Sequence, residues 1–314
     1  MLGRGTPATI RDKGTMSLCI SVVTPEGIVV AGESRQTQVI AGVNRIGSDS
    51  AVKVFDLTNT VLAATAGWAF LQPQGAAMMR NISSIIEEFK PTIPAGSGVR
   101  AIATQLWTHF NTIYQQHITQ VPDSAVQPGQ VALNFIVAGY DPGANVGMLF
   151  SIDIPTLAAP TMPARTTNNP GPWWIGQIDV VARIVNGYDP RILTLPVLQA
   201  AQQAGTATVQ LSGLSYMVHW NALTIQDGID FTVGMIQVTT TIQKFTAGIA
   251  MQPGDVAGVG GPIDVRWYGM DRMLVGSIER SFISKHDDCS FRPPFSLAGF
   301  LCQSVWIMAF RGEL

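Results

Sequence analysis

Charge is scarce in this chain. Only 13% of its 314 residues are Asp, Glu, Lys or Arg, against 46% hydrophobic. A monomer covers itself poorly at that ratio, so buried contacts between subunits are expected. Acids and bases nearly cancel to a formal net charge of −2. That removes the electrostatic case for a nucleic-acid partner. Cysteine is scarce too: Cys19, Cys289 and Cys302 make no CxxC pair and no disulfide framework, which fits a reducing cytoplasm. The four histidines (His109, His117, His219 and His286) lack the spacing of metal ligands. The glycines from 258 to 261 lack the GxGxxG or GKS/T setting of a phosphate loop, so neither a metal nor another cofactor is expected. The apolar run Phe295 to Phe310 falls short of the about 20 residues usual for a membrane span, so no membrane partner is expected. Residues 1–15 contain no apolar run, which argues against a secretory signal.

What is present concentrates between Ser17 and Gly67. Leu18 to Val23 and Ile28 to Ala31 are rich in β-branched residues, with Pro25-Glu26-Gly27 as a turn between them. Glu33 and Arg35 follow at i, i+2, a spacing that shares one face of a strand. A polar hairpin region comes next. Lys53 lies in a second strand-like run, Val52 to Leu57, and a third run from Val61 ends at Ala66-Gly67. An acid, two bases and a glycine amide thus come within strand distance of one another, with the Ser17 hydroxyl at their head.

This order resembles the proteasome β-type subunits and their bacterial relatives among the N-terminal-nucleophile hydrolases. The matching residues are Gly27-Ile28-Val29-Val30-Ala31, Glu33 and Arg35, Lys53, and Ala66-Gly67; the family's nucleophilic threonine then falls on Ser17. Met16-Ser17-Leu18-Cys19 is similar to the Met-Thr-x-Cys start of ancestral bacterial β-type subunits. Gly14-Thr15 is similar to a processing junction, so Thr15 is a second candidate nucleophile; strand spacing puts Ser17 first. Downstream, Phe135 to Asp153 and Gly258 to Val265 continue the resemblance. There are departures. Gln177 stands where the family has a supporting serine, and the family's Asp-x-x-Ser becomes Asp255-Val256-Ala257-Gly258-Val259, without the serine.

Between these motifs the pattern changes period. Met78, Ile82, Ile85, Ile86 and Phe89 mark an amphipathic helix that Pro91 and Pro94 end. Ser97 is a cap candidate for a second helix, with Ile102, Leu106, Phe110 and Ile113 on its apolar face. Strands are expected at 131–137 and 148–154, a loop at 155–172, a short helix at 179–185 and an Ala/Gln-rich insertion at 190–213. A long helix with two apolar faces is expected at 224–245. Strands, two helices, then strands again suit an α+β sandwich whose helices cover the sheets. With the resemblance, the expectation is a four-layer αββα sandwich. Its parts would be a leader over 1–16, a hydrolase domain over 17–275 and a C-terminal extension over 276–314.

The resemblance implies a peptidase. A nucleophilic hydroxyl attacks the scissile carbonyl, and the residue's own α-amine, with an ordinary pKa of about 7.7–8.0, takes the proton. Ser17 would be the nucleophile, Lys53 the cation beside it, Glu33 and Arg35 its supports, and the Gly67 amide the oxyanion donor. The strand edges near Thr37 and Gly67 would hold peptide as an added strand. Gln36, Thr65 and Ala69 match the family's S1 positions and imply a mid-sized, weakly charged pocket. Implied partners are a peptide or unfolded protein, further copies in a ring or spiral, and an ATPase unfoldase. Two other readings share the fold: an inactive structural ring subunit, and an amidase or peptide ligase.

Overall fold

Continuous β-branched runs make strands that can be buried on both faces, and the first two runs behave that way. In the computed structural model β1 (Leu18–Val23) and β2 (Gly27–Glu33) are buried at every position. Gly27 sits where an added Cβ would lie 2.4 Å from the Tyr268 carbonyl, so glycine alone lets the turn approach that strand. The structure describes residues 17–40, 43–156, 158–245, 256–269 and 275–280, all within the compact unit Met1–Phe282. Thr15, Asp255, Cys289, Cys302, His286, the leader and the Phe295–Phe310 run lie outside the described residues.

In chain order the next elements are β3 (Gln36–Ile40) and β4 (Val43–Ser48), which pair as a hairpin, then β5 (Val54–Asp56) and β6 (Val61–Gly67). The short β7 (Phe70–Leu71) and β8 (Arg80–Asn81) precede α1 (Ile82–Phe89) and α2 (Val99–Gln120). Then come β9 (Leu133–Tyr140), β10 (Gly147–Ile154), β11 (Arg165–Thr166), β12 (Gly171–Gly176) and α3 (Asp179–Asn186). The chain continues through α4 (Gln199–Gln203), α5 (Thr206–Ser212) and α6 (Ile225–Phe245) to β13 (Ile263–Gly269) and β14 (Val275–Arg280). This is a mixed α+β architecture.

Two five-stranded antiparallel sheets carry it, in the orders β12-β1-β2-β13-β14 and β11-β10-β9-β6-β5. Strand alternation divides their side chains between three buried clusters. Cys19, Val23, Ile28 and Val30 of one sheet meet Leu62, Ala64, Ile136 and Ala138 of the other. The opposite faces of β6, β9 and β10 pack on α1 and α2 through Ile85, Ile86, Leu106 and Phe110. Leu18, Ile20, Val29 and Ala31 pack on α3 and α6 through Val181, Ile229, Val233 and Ile236.

Some element boundaries move from expectation, for local reasons. The first helix begins at Ile82, not near Met78, because the Asn81 side chain caps the Ser83 amide and the Ile82 amide is taken by the Ala69 carbonyl. Met78 is left exposed. The second helix is capped from a distance. Asp141 accepts the Val99 amide at 2.7 Å, so Ser97 is not its cap. Gly98 makes room for that carboxylate, whose Oδ1 would stand 2.5 Å from a Cβ there. The loop expected at 155–172 contains β11 and the start of β12. The long helix keeps its second apolar face: Val238, Ile242 and Phe245 are exposed while Ile229, Val233 and Ile236 are buried.

His117 closes α2 against the second sheet, only 2% exposed, with Trp68 edge-on at 5.6 Å. Its Nδ1 accepts the Gln72 amide at 3.1 Å, which requires a lone pair there. Burial pushes its pKa below the ordinary value, and His109 shifts the same way for the same reason. A base held neutral when folded contributes fully above its unfolded pKa of about 6.5. As pH falls below that value, the unfolded chain takes up the proton first and stability declines. Urea midpoints at pH 7.5 and 5.5 should therefore drop less in His117→Gln than in wild type. Equal drops would show that His117 titrates normally.

Candidate active site

Ser17 stands at the head of β1, 8% exposed, where the two sheets meet. Its carbonyl accepts the Gln177 amide at 2.6 Å, and an added Cβ on Gly176 would lie 1.9 Å from that carbonyl oxygen. Gly176 has φ +89°, so this approach needs glycine on both steric and conformational grounds. The Ser17 hydroxyl accepts a hydrogen bond from Lys53 Nζ at 2.8 Å.

Lys53 lies just before β5, not within a strand, and is 7% exposed. Its Nζ also donates to Glu33 Oε1 and to the Arg35 carbonyl. An ammonium has three N–H donors and no lone pair. All three donors have acceptors, so Lys53 is committed as a donor to the serine oxygen.

Glu33 ends β2 with no exposure at all. Besides Lys53 it accepts the amides of Leu18 at 3.3 Å, Arg35 at 2.7 Å and Gly260 at 3.1 Å. Burial, the largest influence, pushes this carboxyl above its ordinary value against the pull of Lys53 and of the Gly260 and Arg35 amides. Each of these partners is a donor, so the cage is built for the ionised form. The Arg35 side chain turns away from Glu33. Its guanidinium forms a fork with Asp49 at 2.7 and 3.1 Å and reaches the Ala257 carbonyl at 3.3 Å. Its backbone serves Glu33 and Lys53. An added Cβ on Gly260 would fall 2.6 Å from the Arg35 guanidinium carbon, so a side chain there would displace that guanidinium.

An open pocket lies beside these groups. Ser17, Lys53 and Gly67 line it, as do Gln36, Thr37, Thr65 and Ala69. Gly67 has φ +109°, and an added Cβ would lie 2.3 Å from the Ala132 carbonyl. Thr65 Oγ1 is buried with no hydrogen-bond partner among the described residues. Among the described residues Lys53 is the only charged side chain in the lining. Burial raises the Cys19 thiol to about 12, and its Sγ donates to the Thr65 carbonyl at 3.3 Å, so it belongs to the core. Among the described residues no cluster of His, Cys, Asp and Glu is placed to hold a metal. None of their helices is long and apolar enough to cross a membrane.

Of the site residues expected from the sequence, Ser17, Gln36, Thr37, Lys53, Thr65, Gly67 and Ala69 line this pocket, Glu33 and Arg35 lie behind it, and Thr15 is outside the described residues. The sequence reading missed Asp49, the Gln177 amide, and Trp68, Asn81 and Ser83 in the pocket wall. Asp49 sits in a polar Ser-Asp-Ser loop that carries no local signal. Trp68, Asn81 and Ser83 come to the wall only because β7 and β8 pair.

Removing one member of a buried ion pair leaves the other charge without its partner, a loss of about 3–5 kcal/mol. Glu33→Gln should lower stability on that scale in denaturant titrations. A loss below about 1 kcal/mol would mean that the pair is solvated in solution.

No family model matches this chain, and no curated protein matches it. Among solved structures, a Gly-1 mutant of Anbu from Hyphomicrobium sp. strain MC1 is similar at 14% identity and a TM-score of 0.46, covering 86% of this chain and 89% of that one.

Proposed function

We propose that this chain is a peptidase with Ser17 as an N-terminal nucleophile, on a four-layer αββα hydrolase domain over residues 17–275. One observation carries the reading: Lys53 Nζ stands 2.8 Å from the Ser17 hydroxyl with its other two donors engaged. A lysine so engaged stabilises an alkoxide but does not take its proton. A different base is required beside Ser17, and its own α-amine is in reach once residues 1–16 are removed.

The hydroxyl oxygen attacks the scissile carbonyl and its proton passes to the α-amine. Lys53 favours the developing charge on the serine oxygen, and the Gly67 amide donates to the oxyanion. The amine then protonates the leaving nitrogen, and an ester to Ser17 remains. Water, activated by the same amine, hydrolyses that ester and restores the hydroxyl. Glu33 keeps Lys53 charged and aimed, and Arg35 holds the Glu33 loop through Asp49. The substrate backbone lies between the β3 edge at Gln36–Thr37 and Gly67–Ala69, as an added strand. Thr65, Gln36 and Ala69 favour a mid-sized, uncharged side chain.

Mass spectrometry of the purified protein should find Ser17 as its first residue, and a peptide epoxide or boronate should label it. Ser17→Ala should abolish peptide hydrolysis with the fold intact. Lys53→Ala should lose about 10²-fold or more in turnover, and Lys53→Arg should not restore it. An intact Met1 together with no labelling would leave a structural subunit; labelling of Thr15 would move the nucleophile by two residues.

The exposed second face of α6 and the low charge content support assembly into a ring or spiral that encloses the sites, served by an unfoldase. Light scattering at micromolar concentration should report a species well above 33.6 kDa. Val238 is 37% exposed. Val238→Asp should therefore split the assembly and leave each chain folded. A stable, active monomer would rule out the enclosed chamber.

A further inference from the structure

Hydrogen bonds at the start of α1 fix the direction of two side-chain amides in the pocket wall. The Ser83 amide can only donate, and it donates to Asn81 Oδ1 at 2.9 Å. The Ser83 hydroxyl gives the same oxygen a second bond at 2.7 Å. The Asn81 oxygen is therefore turned to the helix and its Nδ2 is turned away. That nitrogen donates to Gln36 Oε1 at 3.2 Å, where only an oxygen can receive it. With its oxygen so engaged, Gln36 keeps both N–H donors of Nε2, and neither has a partner among the described residues. Gln36 opens β3 and Asn81 closes β8, so two elements distant in sequence bring these amides to one pocket.

Thr65 lines the same pocket from β6. It is 7% exposed, and its Oγ1 is buried with no hydrogen-bond partner among the described residues. A hydroxyl both donates and accepts. A buried one without a partner is costly, and few such atoms persist in native proteins without a reason. The lining thus offers donors from β3 and a hydroxyl from β6. Its one charged side chain, Lys53, is already matched by Glu33.

We infer that this pocket selects a carboxamide, the side chain of glutamine or asparagine, on the acyl side of the bond to be cleaved. The substrate oxygen accepts from Gln36 Nε2, and the substrate NH2 donates to Thr65 Oγ1. Asn81 is a positioning residue that holds the Gln36 amide in this orientation. The inference rests on the N-terminal-nucleophile reading and gives it a substrate class. An apolar side chain of the same length leaves the Gln36 and Thr65 groups unpaired, and a site built to hydrogen-bond its substrate discriminates against such an analogue. A carboxylate brings in a charge with no unmatched cation to meet it.

The test measures binding of N-acetyl-Ala-Ala-X peptides with a free C-terminal carboxylate to the full chain, by ligand-observed NMR. No bond is left to cleave after X, so the readout does not depend on the nucleophile. Glutamine at X should bind about tenfold more tightly than methionine, its apolar match in length, or glutamate, a ratio that two ordinary hydrogen bonds supply. Gln36→Met and Thr65→Val should each cut the glutamine-to-methionine ratio by about threefold, and together abolish it. Thr65→Ser keeps the hydroxyl and should preserve the ratio. Asn81→Ser keeps a cap for α1 but frees the Gln36 amide, so it should lower the ratio and leave methionine binding unchanged. Equal binding of the three peptides, no binding of any, or a ratio unmoved in the Gln36→Met, Thr65→Val double variant would overturn the assignment. Hydrolysis of N-acetyl-Ala-Ala-X-aminomethylcoumarin is scored separately. Selective binding by a chain that releases no coumarin would sink the peptidase reading and keep the carboxamide pocket. Release without preference at X would do the reverse.

Discussion

A carboxylate and an ammonium buried together remain charged only if every remaining donor and acceptor around them is also satisfied. Glu33 and Lys53 meet that demand, and much of the local structure follows from it. The four donors to Glu33 come from β1, from the loop after β2, from the turn before β13 and from Lys53 itself. Four separated stretches of chain are thereby tied to one side chain. The hydroxyl of Ser17 is the third acceptor of Lys53, so its position is set by the same network.

That network needs backbone to come closer than side chains allow. Gly260 lies against the Arg35 guanidinium, Gly176 against the Ser17 carbonyl and Gly67 against the Ala132 carbonyl. At Gly67 and Gly176 the backbone also has positive φ, which costs glycine little and other residues more. Here the glycines set how near the elements can stand, and so whether an amide reaches its acceptor. The site lies between two sheets whose shared interior is apolar. The unsatisfied Thr65 Oγ1 therefore marks a place in the pocket lining where bonding capacity is left over.

The strands of the first sheet, the two helices after Gly67 and the long helix before the Gly-Gly turn were legible in the sequence. Each rests on a local period: β-branched runs in β1 and β2, and apolar residues three and four apart in α1, α2 and α6. Helix starts were less legible. Ile82 begins α1 because Ala69 takes its amide, and Val99 begins α2 because Asp141 does, 42 residues further on. A cap supplied from elsewhere in the fold leaves no mark beside the helix it caps.

The same division runs through the site. By itself the sequence determined the residue types and their order, Ser17, Glu33, Lys53 and Gly67, at or beside the ends of strand-like runs, and the resemblance in motif order marked them as one candidate site. It did not determine that Arg35 would turn to Asp49 and leave only its backbone at the pair, since two oppositely charged residues two apart look like partners in one dimension. Nor did it determine that Lys53 would be saturated with acceptors. Counting a buried group's partners requires knowing which distant backbone atoms arrive beside it, and only the packing of one sheet on the other brings them there.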